Sequence, residues 1–474
     1  MRLKRLWRHC RLNAEILDMI DPKQIPEDVF SVCLHLGEAG FEAYLVGGCV
    51  RDLLIGRSVG DFDVATSARP EQILRVFGAR FSVPTGLQHG TVTVLTGESP
   101  RFRQVEVTTF RGEGAYLDGR HPSVVTFGAT LAEDLSRRDF TMNAIAFDPR
   151  ARTIIDLHQG QQDIARRLVR TVGDPIQRFS EDGLRPMRAL RQATQLGFDV
   201  DAPTLAAIPA TLNVFRKVSG ERVRDELLKL LLATRPSRGI ELMRQSGLLA
   251  EVLPELLAGV GCQQNRFHKH DVYQHSLATL DAVPAEPILR LAALLHDVGK
   301  PRTKTPQPSA PGEFGFFKHE GVGADLTKTI AGRLRLSRAE TDLLVALVAN
   351  HMFFYTPDWT DGTVRRFVNR VQAERIPLLF KLREADIVSR GRGEDPECET
   401  RALRAHIARV AAEDAVLRVK DLAVSGADVM RVLGVGPGPV VGHVLTRLLE
   451  RVLDDPSLNE KETLERLIPE AAAG

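Results

Sequence analysis

The stretch that decides the fold is LVGGCVRDLLIGRSVGDFDVAT, residues 45–66. An apolar run leads into Gly47 and Gly48, a short segment with helical spacing follows, and a turn precedes Asp61 and Asp63. Side chains two residues apart on a strand lie on the same face, at a rise of about 3.3 Å per residue. The pattern therefore predicts strand, short helix and strand, with two carboxylates directed at one point.

Two carboxylates directed at one point repel each other unless a cation lies between them. Mg²⁺ prefers oxygen ligands and binds nucleotide phosphates at the same time. A pair of glycines lets backbone N–H groups approach a triphosphate closely, because no side chain stands in the way. The stretch is therefore typical of a phosphoryl-transfer site. The alternative is a strand with two solvated aspartates after a glycine turn.

The bulk composition is that of an ordinary globular protein. The chain has 474 residues, enough for about three domains, with 43% hydrophobic and 26% charged residues. A net charge of +2 does not by itself indicate a nucleic-acid partner, and it does not exclude local basic patches. Five scattered cysteines without zinc-type spacing favour a reducing compartment, and we expect a cytoplasmic protein without membrane segments.

The secondary-structure pattern changes once along the chain. Alternating β-rich runs and short helices extend to about Asp156, and helical spacing dominates from about Ile164 onward. We therefore predict the α+β class: a mixed α/β head with an antiparallel-containing sheet, followed by mostly α-helical regions. Two stretches rich in Gly, Pro and charge, 304–315 and 389–400, are predicted to be surface loops.

Further motifs follow the opening stretch in order. They are HGTVTV (89–94), VEVTTFRGEGAYLDGRHPSVVTF (105–127), EDLSRRDFTMNAIAFD (133–148), RFSEDGLRPMRALRQATQLGF (178–198) and GERVRDELLKLL (220–231). Together they resemble the bacterial (class II) tRNA nucleotidyltransferases and their poly(A) polymerase relatives, across residues 25–232. The resemblance implies transfer of nucleoside monophosphates from CTP and ATP to the 3′ hydroxyl of tRNA.

The same resemblance assigns the head residues. Asp61 and Asp63 would hold two Mg²⁺ ions, and Glu106 is either a third carboxylate beside them or a structural partner. The predicted nucleotide-binding residues are Gly47, Gly48, Arg51, Arg111, Arg138, Asp139, Asn143, Asp182, Arg185, Arg188 and Arg191.

Asp139 and two arginines before it form the predicted ribose and phosphate motif. The carboxylate of Asp139 can accept a hydrogen bond from a ribose hydroxyl, and Arg137 and Arg138 offer forked donors to triphosphate oxygens. In the family, the aspartate of this motif selects ribose over deoxyribose. The alternative is a salt-bridged surface turn.

Asp182 and Arg185 form the predicted base-recognition pair. We expect them at positions i and i+3 of one helix, presenting an acceptor and several donors to a base edge. Alternatively they simply pair with each other. Pro186 would then lie inside a helix, at a cost of about 3 kcal/mol or a kink. Gln192 stands where the family usually has an aromatic residue.

The identity of the added nucleotides depends on the loop FRGEGAYLDGRHP (110–122). This loop is complete here, which favours addition of A, and therefore addition of CCA or of its terminal A. A poly(A) polymerase with the same chemistry is the nearest alternative.

A second set of motifs lies in the helical region. FHKHDVYQHSLATLDAV (267–283) and LAALLHDVGKPRT (291–303) begin a pattern that resembles the HD phosphohydrolase superfamily. The resemblance implies a site for Mg²⁺ or a divalent transition metal, and hydrolysis of phosphomonoesters or 2′,3′-cyclic phosphates. The implied ligands are His275, His296, Asp297 and Asp386, with His319 and His351 where two-metal members have extra ligands.

These motifs divide the chain into predicted regions: a basic N-terminal arm (1–24), the nucleotidyltransferase head (25–156), a helical neck and body (157–258), an HD domain (259–395) and a helical tail (396–474). The predicted partners are tRNA, ATP and CTP. Two alternatives belong to other classes: an HD phosphohydrolase with an inert RNA-binding head, and a tRNA-binding factor without catalysis.

Overall fold

The computed structural model describes residues 20–21, 24–96, 103–112, 128–265, 268–307, 313–413 and 418–473. Most of the predicted N-terminal arm, and residues 113–122 of the predicted nucleotide-selecting loop (110–122), lie outside the described residues. The chain forms two compact units, residues 1–252 and 253–474.

The first unit is built on a mixed sheet, which agrees with the predicted class. The strands run in the order β3-β4-β5-β2-β1-β6-β7. Their bounds are β1 (Ala43–Val46), β2 (Phe62–Thr66), β3 (Ser82–Gly86), β4 (Thr91–Thr96), β5 (Arg103–Thr109), β6 (Ile145–Asp148) and β7 (Thr153–Asp156).

One strand pairing in this sheet differs in direction from the rest. Strands β2 and β5 are parallel, whereas the other neighbours are antiparallel. Val46 and Ala65, from β1 and β2, lie in a buried apolar cluster with Phe110 and Leu135. Asp63 is two residues before Ala65 on β2, so it shares this face of the sheet, at the strand's beginning.

Helices accompany the sheet and then replace it. They are α1 (Glu27–Glu38), α2 (Gly48–Leu54), α3 (Pro70–Phe77), α4 (Leu131–Ser136), α5 (Gly160–Arg166), α6 (Pro175–Glu181), α7 (Arg185–Leu196), α8 (Ala202–Phe215), α9 (Gly220–Leu231), α10 (Pro236–Gln245) and α11 (Leu248–Val252). Only the two-residue strands β8 (Leu168–Val169) and β9 (Asp199–Val200) interrupt the described helices of this unit after β7.

The second unit is helical apart from one small hairpin among its described residues. The predicted loop 304–315 contains this hairpin, β10 (Thr305–Pro306) paired with β11 (Phe314–Gly315). The helices are α12 (Val272–Ala282), α13 (Pro287–Leu295), α14 (Lys300–Thr303), α15 (His319–Arg333), α16 (Arg338–Asn350), α17 (Asp361–Val371), α18 (Ile376–Ser389), α19 (Cys398–Glu413), α20 (Gly426–Leu433), α21 (Pro439–Asp454) and α22 (Lys461–Ala473).

The helices of both units bury apolar side chains. Buried leucines and valines fill the helical cores, for example Leu448, Val452 and Leu464 between α20, α21 and α22. Within the described parts of the chain, no helix combines the length and the apolar character needed to span a bilayer.

Gly299 sets the distance between two elements of the second unit. A Cβ atom at this position would overlap the carbonyl oxygen of His319 and lie 2.7 Å from the backbone nitrogen of Gly323. Both contacts are with the first turns of α15, and backbone cannot move aside as a flexible side chain can. The glycine therefore permits α15 to begin next to the segment that contains His296 and Asp297.

We predict that Gly299→Ala destabilises the protein by about 1–3 kcal/mol through overpacking. Gly332→Ala is the matched control, because Gly332 lies in α15, the helix that Gly299 packs against, and has nothing within 4 Å of an added Cβ. That control should be neutral or stabilising by about 0.5–1 kcal/mol. Urea unfolding of both variants measures the difference, and equal midpoints would contradict this role of Gly299.

Candidate active sites

Three carboxylates meet at one cavity of the first unit. Asp61 directly precedes β2, Asp63 lies on β2, and Glu106 lies on β5. The parallel pairing of these strands places Asp63 and Glu106 side by side in register. All three side chains line a cavity of about 950 Å³. Glu106 therefore lies beside Asp63 at the cavity wall, and its role as a third metal-binding carboxylate stays a prediction.

The surroundings of Asp63 disfavour its ionised form. Burial raises the pKa of Asp63 to about 6, with the negative charges of Glu106 and Asp61 adding to the effect and Arg138 opposing it. Three acids at one cavity wall are a donor set that suits a hard divalent cation such as Mg²⁺.

Gly47 is a glycine for two structural reasons. Its backbone has φ 80° and ψ −136°, a conformation that other residues rarely adopt. A Cβ atom here would also lie 3.0 Å from Nη1 of Arg138. The bare backbone thus lets the guanidinium of Arg138 approach the loop between β1 and α2, next to the carboxylate of Asp63.

Asp134 holds the two arginines of the phosphate motif, and sequence analysis missed it. This buried carboxylate accepts from Arg137 (2.6 Å) and from Arg138 (3.0 Å), three and four residues later. Burial opposes ionisation of Asp134, but the two guanidinium groups hold its pKa below the usual value. The available signal was the spacing in EDLSRRD, because acids and bases three or four residues apart on a helix are neighbours.

Asp139 is buried and fully engaged by neighbouring side chains. Arg188 donates to its Oδ2 (2.6 Å), and Asn143 donates to its Oδ1 (3.0 Å). Burial disfavours the charged carboxylate, but Arg188 and these hydrogen bonds keep the pKa of Asp139 low. The salt bridge is therefore internal to the site rather than part of an exposed turn.

Gln192 joins this network from α7, and its position explains the missing aromatic residue. Its Oε1 accepts from Arg51 (3.1 Å) and from Asn143 (3.1 Å), and Arg51 also donates to Asn143 Oδ1 (2.8 Å). An aromatic ring at this position could accept neither bond. The buried amide of Gln192 thus links α2 to the residues that hold Asp139.

The predicted arrangement of Asp182 and Arg185 on one helix is wrong. Asp182 lies in the turn after α6 with extended backbone, and Arg185 is the first residue of α7. Asp182 pairs with Arg222 of α9 (2.9 Å), whereas Arg185 pairs with Glu181. The reason is Pro186, because inside a continuous helix its ring would clash with the carbonyl of Asp182 and it could not donate the backbone hydrogen bond to that carbonyl.

Pro186 carries no penalty in this arrangement, contrary to the expectation of a kink. It is the second residue of α7, where the N–H that proline lacks has no intrahelical acceptor. Asp182 and Arg185 still line one cavity of about 360 Å³, together with Val46, Asp63, Val64, Thr91, Glu106, Thr108, Arg111, Arg137, Arg138, Asp139 and Arg188. The two cavities share Asp63, Glu106 and Arg188.

The remaining predicted residues also border these cavities. Arg51, Asn143 and Gly48 line the larger cavity, as does Arg191, which binds Glu226 of α9 and donates to Gln195 (2.7 Å). Unpredicted residues line the larger cavity too, among them Arg57, Gln104 and Lys229 from three separate segments.

Six predicted ligands converge in the second unit. His275 lies on α12, His296 and Asp297 follow α13, His319 begins α15, His351 follows α16 and Asp386 lies on α18. All six are buried. Nε2 of His275 lies 3.1 Å from Asp386 and 3.3 Å from Nε2 of His296, and Nε2 of His319 lies 3.2 Å from Nε2 of His351.

The imidazole rings are oriented by their outer nitrogens. Nδ1 of His296, His319 and His351 each lies 2.7 Å from a backbone carbonyl, those of Ala293, Phe316 and Val348. Nδ1 of His275 lies 3.1 Å from Oγ of Ser389. A ring that donates from Nδ1 keeps Nε2 unprotonated and free to bind a metal. These hydrogen bonds are therefore what a metal site requires.

Asp297 connects two halves of this cluster. Its Oδ2 faces His275 (3.5 Å) and His296 (3.2 Å), and its Oδ1 faces His319 (3.3 Å) and His351 (3.6 Å). One carboxylate thus presents an oxygen to each of two groups of imidazole nitrogens. The set of nitrogen and carboxylate donors fits two divalent ions that share Asp297.

Two residues near the cluster were missed in sequence analysis. The Lys300 ammonium lies 2.6 Å from Asp297 Oδ2 and donates to Gln264 (2.7 Å). His268 can join His275 and Asp386 as a ligand group, and burial lowers its pKa to about 3. Both residues lie in motifs that the sequence analysis quoted, FHKH (267–270) and HDVGK (296–300). They were not selected because a lysine or an isolated histidine is usually structural.

Four family models match successive parts of the chain. They are the poly(A) polymerase head domain (43–170), the probable RNA and SrmB-binding site of polymerase A (197–259), the HD domain (272–391) and the putative tRNA nucleotidyltransferase domain 2 (392–468).

Relatives of the chain carry one name. A CCA-adding enzyme from Pediococcus pentosaceus is 34% identical over 445 residues, which are 92% of this chain and 96% of that enzyme. The chain belongs to the family of CCA-adding enzymes. Another member, from Geobacillus kaustophilus, is 48% identical over 234 residues, which are 49% of this chain and 56% of that enzyme.

A solved structure extends the likeness to the fold. The chain resembles the Bacillus stearothermophilus CCA-adding enzyme in complex with CTP, with a TM-score of 0.68 and 29% identity. The match covers 94% of this chain and 96% of that one. The nucleotidyltransferase family identified from the sequence motifs is thereby confirmed, and the predicted residue roles remain predictions.

We predict that Asp297→Ala removes both bound metals of the second unit, whereas His351→Ala removes only one. The reason is that Asp297 faces both groups of imidazoles and His351 faces one. Elemental analysis after saturation with Mn²⁺ and gel filtration gives the metal content per chain.

The exposed His443 on α21 supplies the control, since His443→Ala should leave the metal content unchanged. If Asp297→Ala and His351→Ala retained equal amounts of metal in folded protein, a shared carboxylate would be excluded.

Proposed function

We propose that the first unit transfers CMP and AMP from CTP and ATP to the 3′ end of tRNA, completing CCA or its terminal A. The observation that carries the proposal is the group of three carboxylates, Asp61, Asp63 and Glu106, at the larger cavity, two of which also line the smaller one. The relatives named CCA-adding enzymes support the choice of substrates. A cytoplasmic location fits these substrates.

The smaller cavity suits the incoming nucleotide. Arg137 and Arg138, held by Asp134, offer forked donors for a triphosphate, and Asp139 lies beside them for the ribose. Asp182 and Arg185 offer an acceptor and donors for a base edge. Because Arg222 and Glu181 position these two side chains, base recognition depends on both pairs rather than on a single helix face.

Mg²⁺ bound by Asp61 and Asp63 would activate the 3′ hydroxyl and stabilise the leaving pyrophosphate. The chain's own residues contribute orientation and charge. Gly47 and Gly48 leave the backbone open to phosphate oxygens, and the guanidinium of Arg138 stands next to Asp63. The larger cavity on the other side of Asp63 and Glu106 provides room for the accepting 3′ end.

A second function is favoured by the cluster around Asp297. We propose metal-dependent hydrolysis of phosphate esters in the second unit, by two divalent ions that His275, His296, Asp297 and Asp386, and Asp297, His319 and His351, would hold. Such ions lower the pKa of bound water and polarise phosphoryl oxygens. The ammonium of Lys300, beside Asp297, is available to a phosphate oxygen.

The decisive experiment uses tRNA transcripts that end before CCA, after C and after CC. CTP and ATP are supplied singly and together, and products are resolved at single-nucleotide length. Addition that stops after CCA supports the proposal. Continued A addition to unstructured RNA would instead establish a poly(A) polymerase, and no addition to any transcript would refute nucleotide transfer.

We predict that Asp61→Ala and Asp63→Ala each lower kcat for addition at least about 100-fold, since each removes a metal ligand. The control is the double variant His296→Ala with Asp297→Ala, in which addition should persist while phosphate-ester hydrolysis is lost. Near-normal addition by either head variant in Mg²⁺ would disprove the assignment of the carboxylates.

We predict that Arg222→Ala relaxes nucleotide choice as Asp182→Ala does, because Arg222 fixes the carboxylate of Asp182. The ratio of kcat/KM for CTP against UTP should fall about tenfold or more in both variants, the scale of one lost charged hydrogen bond. Arg224→Ala on the same helix is the control, because Arg224 pairs with the exposed Asp225. Unchanged discrimination in Arg222→Ala would remove this residue from base recognition.

A further inference from the structure

Gln192 is a buried glutamine whose amide nitrogen has no acceptor among the residues that the structure describes. The residue lines the larger cavity and is 4% exposed. Its Oε1 accepts hydrogen bonds from Arg51 (3.1 Å) and from Asn143 (3.1 Å). Its Nε2 has no such partner within the described part of the chain, and it is not sealed off from the cavity. Because an unused buried donor costs free energy, this amide indicates a ligand with an acceptor atom.

The charged residues of this network determine which atom of each amide donates. Asp139, whose low pKa keeps it ionised, only accepts, so Asn143 donates to it from Nδ2 (3.0 Å). Arg51 only donates, so Oδ1 of Asn143 (2.8 Å) and Oε1 of Gln192 accept from it. The amide of Gln192 cannot turn round without losing two hydrogen bonds. Its Nε2 is therefore fixed as a donor.

The network connects the two cavities. Gln192 and Asn143 line the larger cavity, and Asp139, which is bonded to Asn143, lines the smaller one. The smaller cavity suits the incoming nucleotide, and the larger one provides room for the accepting 3′ end. The unused donor of Gln192 therefore lies on the side of the accepting strand.

A ribose hydroxyl is the group of that strand which best matches a neutral amide. Phosphate oxygens meet charged donors in the same cavity, Arg57 and Lys229 among them. The terminal base changes from one addition step to the next, whereas every accepting nucleotide has a 2′ hydroxyl next to the reacting 3′ hydroxyl. The 2′ hydroxyl is also the group by which a protein distinguishes RNA from DNA at a given position.

We propose that Gln192 is a specificity-determining residue for the accepting strand, and that its Nε2 donates a hydrogen bond to the 2′ hydroxyl oxygen of the terminal ribose. This inference rests on the proposed transfer of nucleotides to an RNA 3′ end, and it names the group of the acceptor that is recognised. The bond holds the terminal ribose in the cavity that Asp61 and Asp63 also line, so the neighbouring 3′ hydroxyl is kept near these carboxylates.

The test uses two tRNA transcripts that end after CC and differ only in the terminal nucleotide, cytidine or 2′-deoxycytidine. With ATP as the second substrate, the wild-type full chain should have a KM roughly three- to tenfold higher for the deoxy-terminated transcript, the scale of one neutral hydrogen bond. Gln192→Met keeps the length of the side chain and lacks the amide. It should raise the KM for the ribose-terminated transcript to that for the deoxy-terminated one, with kcat retained. Its KM for the deoxy-terminated transcript should not change, which also shows that the site is intact.

Gln195→Met is the matched control, because Gln195 lies on the same helix α7 and lines the same cavity, but both ends of its amide are bonded within the protein. Its Oε1 accepts from Arg191 (2.7 Å), and its Nε2 donates to the carbonyl of Lys229 (2.8 Å). This variant should keep the wild-type ratio of the two KM values. A wild type without preference for the terminal ribose, or an unchanged preference in Gln192→Met, would overturn the proposal. So would an equal loss of preference in Gln195→Met.

A second ratio separates recognition of the acceptor from positioning of Asp139. Without Gln192, this carboxylate keeps its hydrogen bonds from Arg188 (2.6 Å) and from the backbone N–H of Phe140 (2.9 Å). The ratio of kcat/KM for ATP against dATP should therefore be unchanged in Gln192→Met. A fall in this ratio with an intact preference for the terminal ribose would mean that Gln192 acts only through Asn143, and the proposal would be wrong.

Binding in the absence of nucleotide separates this inference from the proposed transfer. Filter binding gives the Kd of each transcript for the wild type and for Gln192→Met. Tighter binding of the ribose-terminated transcript by the wild type alone, without any nucleotide addition, would refute transfer and retain the recognition. Addition with equal Kd and equal KM for both transcripts would refute the recognition and retain transfer.

Discussion

Mutual repulsion of carboxylates at the beginning of the β2–β5 pair is the constraint around which the first unit is organised. Asp63 and Glu106 are neighbours because these two strands run parallel and in register. Placing two acids side by side costs free energy unless positive charge compensates for it. The surrounding arginines and the capacity to bind a divalent ion supply that charge.

The positive charge is itself held in place by further acids. Asp134 fixes Arg137 and Arg138, Asp139 fixes Arg188, and Glu226 fixes Arg191. An arginine that is already oriented loses little conformational entropy when a phosphate binds to it. The alternation of acids and arginines therefore prepares the cavity for a triphosphate, which a set of independently mobile arginines would not do.

In the second unit, histidines take the place of most carboxylates, which limits the repulsion between the ligands of one site. Imidazoles supply nitrogen ligands that add no negative charge to a buried site, and backbone carbonyls lie at Nδ1 of three of them. One carboxylate, Asp297, then serves two groups of imidazoles. Gly299 lets the segment after Asp297 pass close to α15, so that His319 lies next to Asp297.

The sequence by itself determined the family and the fold class, and it singled out the carboxylates of the first unit and the six buried residues of the second unit that the structure brings together. This was possible because the motifs contain chemically unusual pairs, such as Asp61 with Asp63 and His296 with Asp297, whose spacing within one element is local information. Gly47 could be predicted for the same reason. The prediction failed at Asp182 and Arg185, where a helix was assumed to continue through a turn.

Only the tertiary structure decided the partners of these residues. The pairing of Asp182 with Arg222, the bonds from Arg51 and Asn143 to Gln192, and the two-sided role of Asp297 all join residues from separate segments. The physical reason is that a strand or helix pattern specifies which side of an element a residue occupies. Which side chain it contacts depends on how the elements pack against each other. A charged residue can pair with many oppositely charged partners, and the local sequence does not distinguish between them.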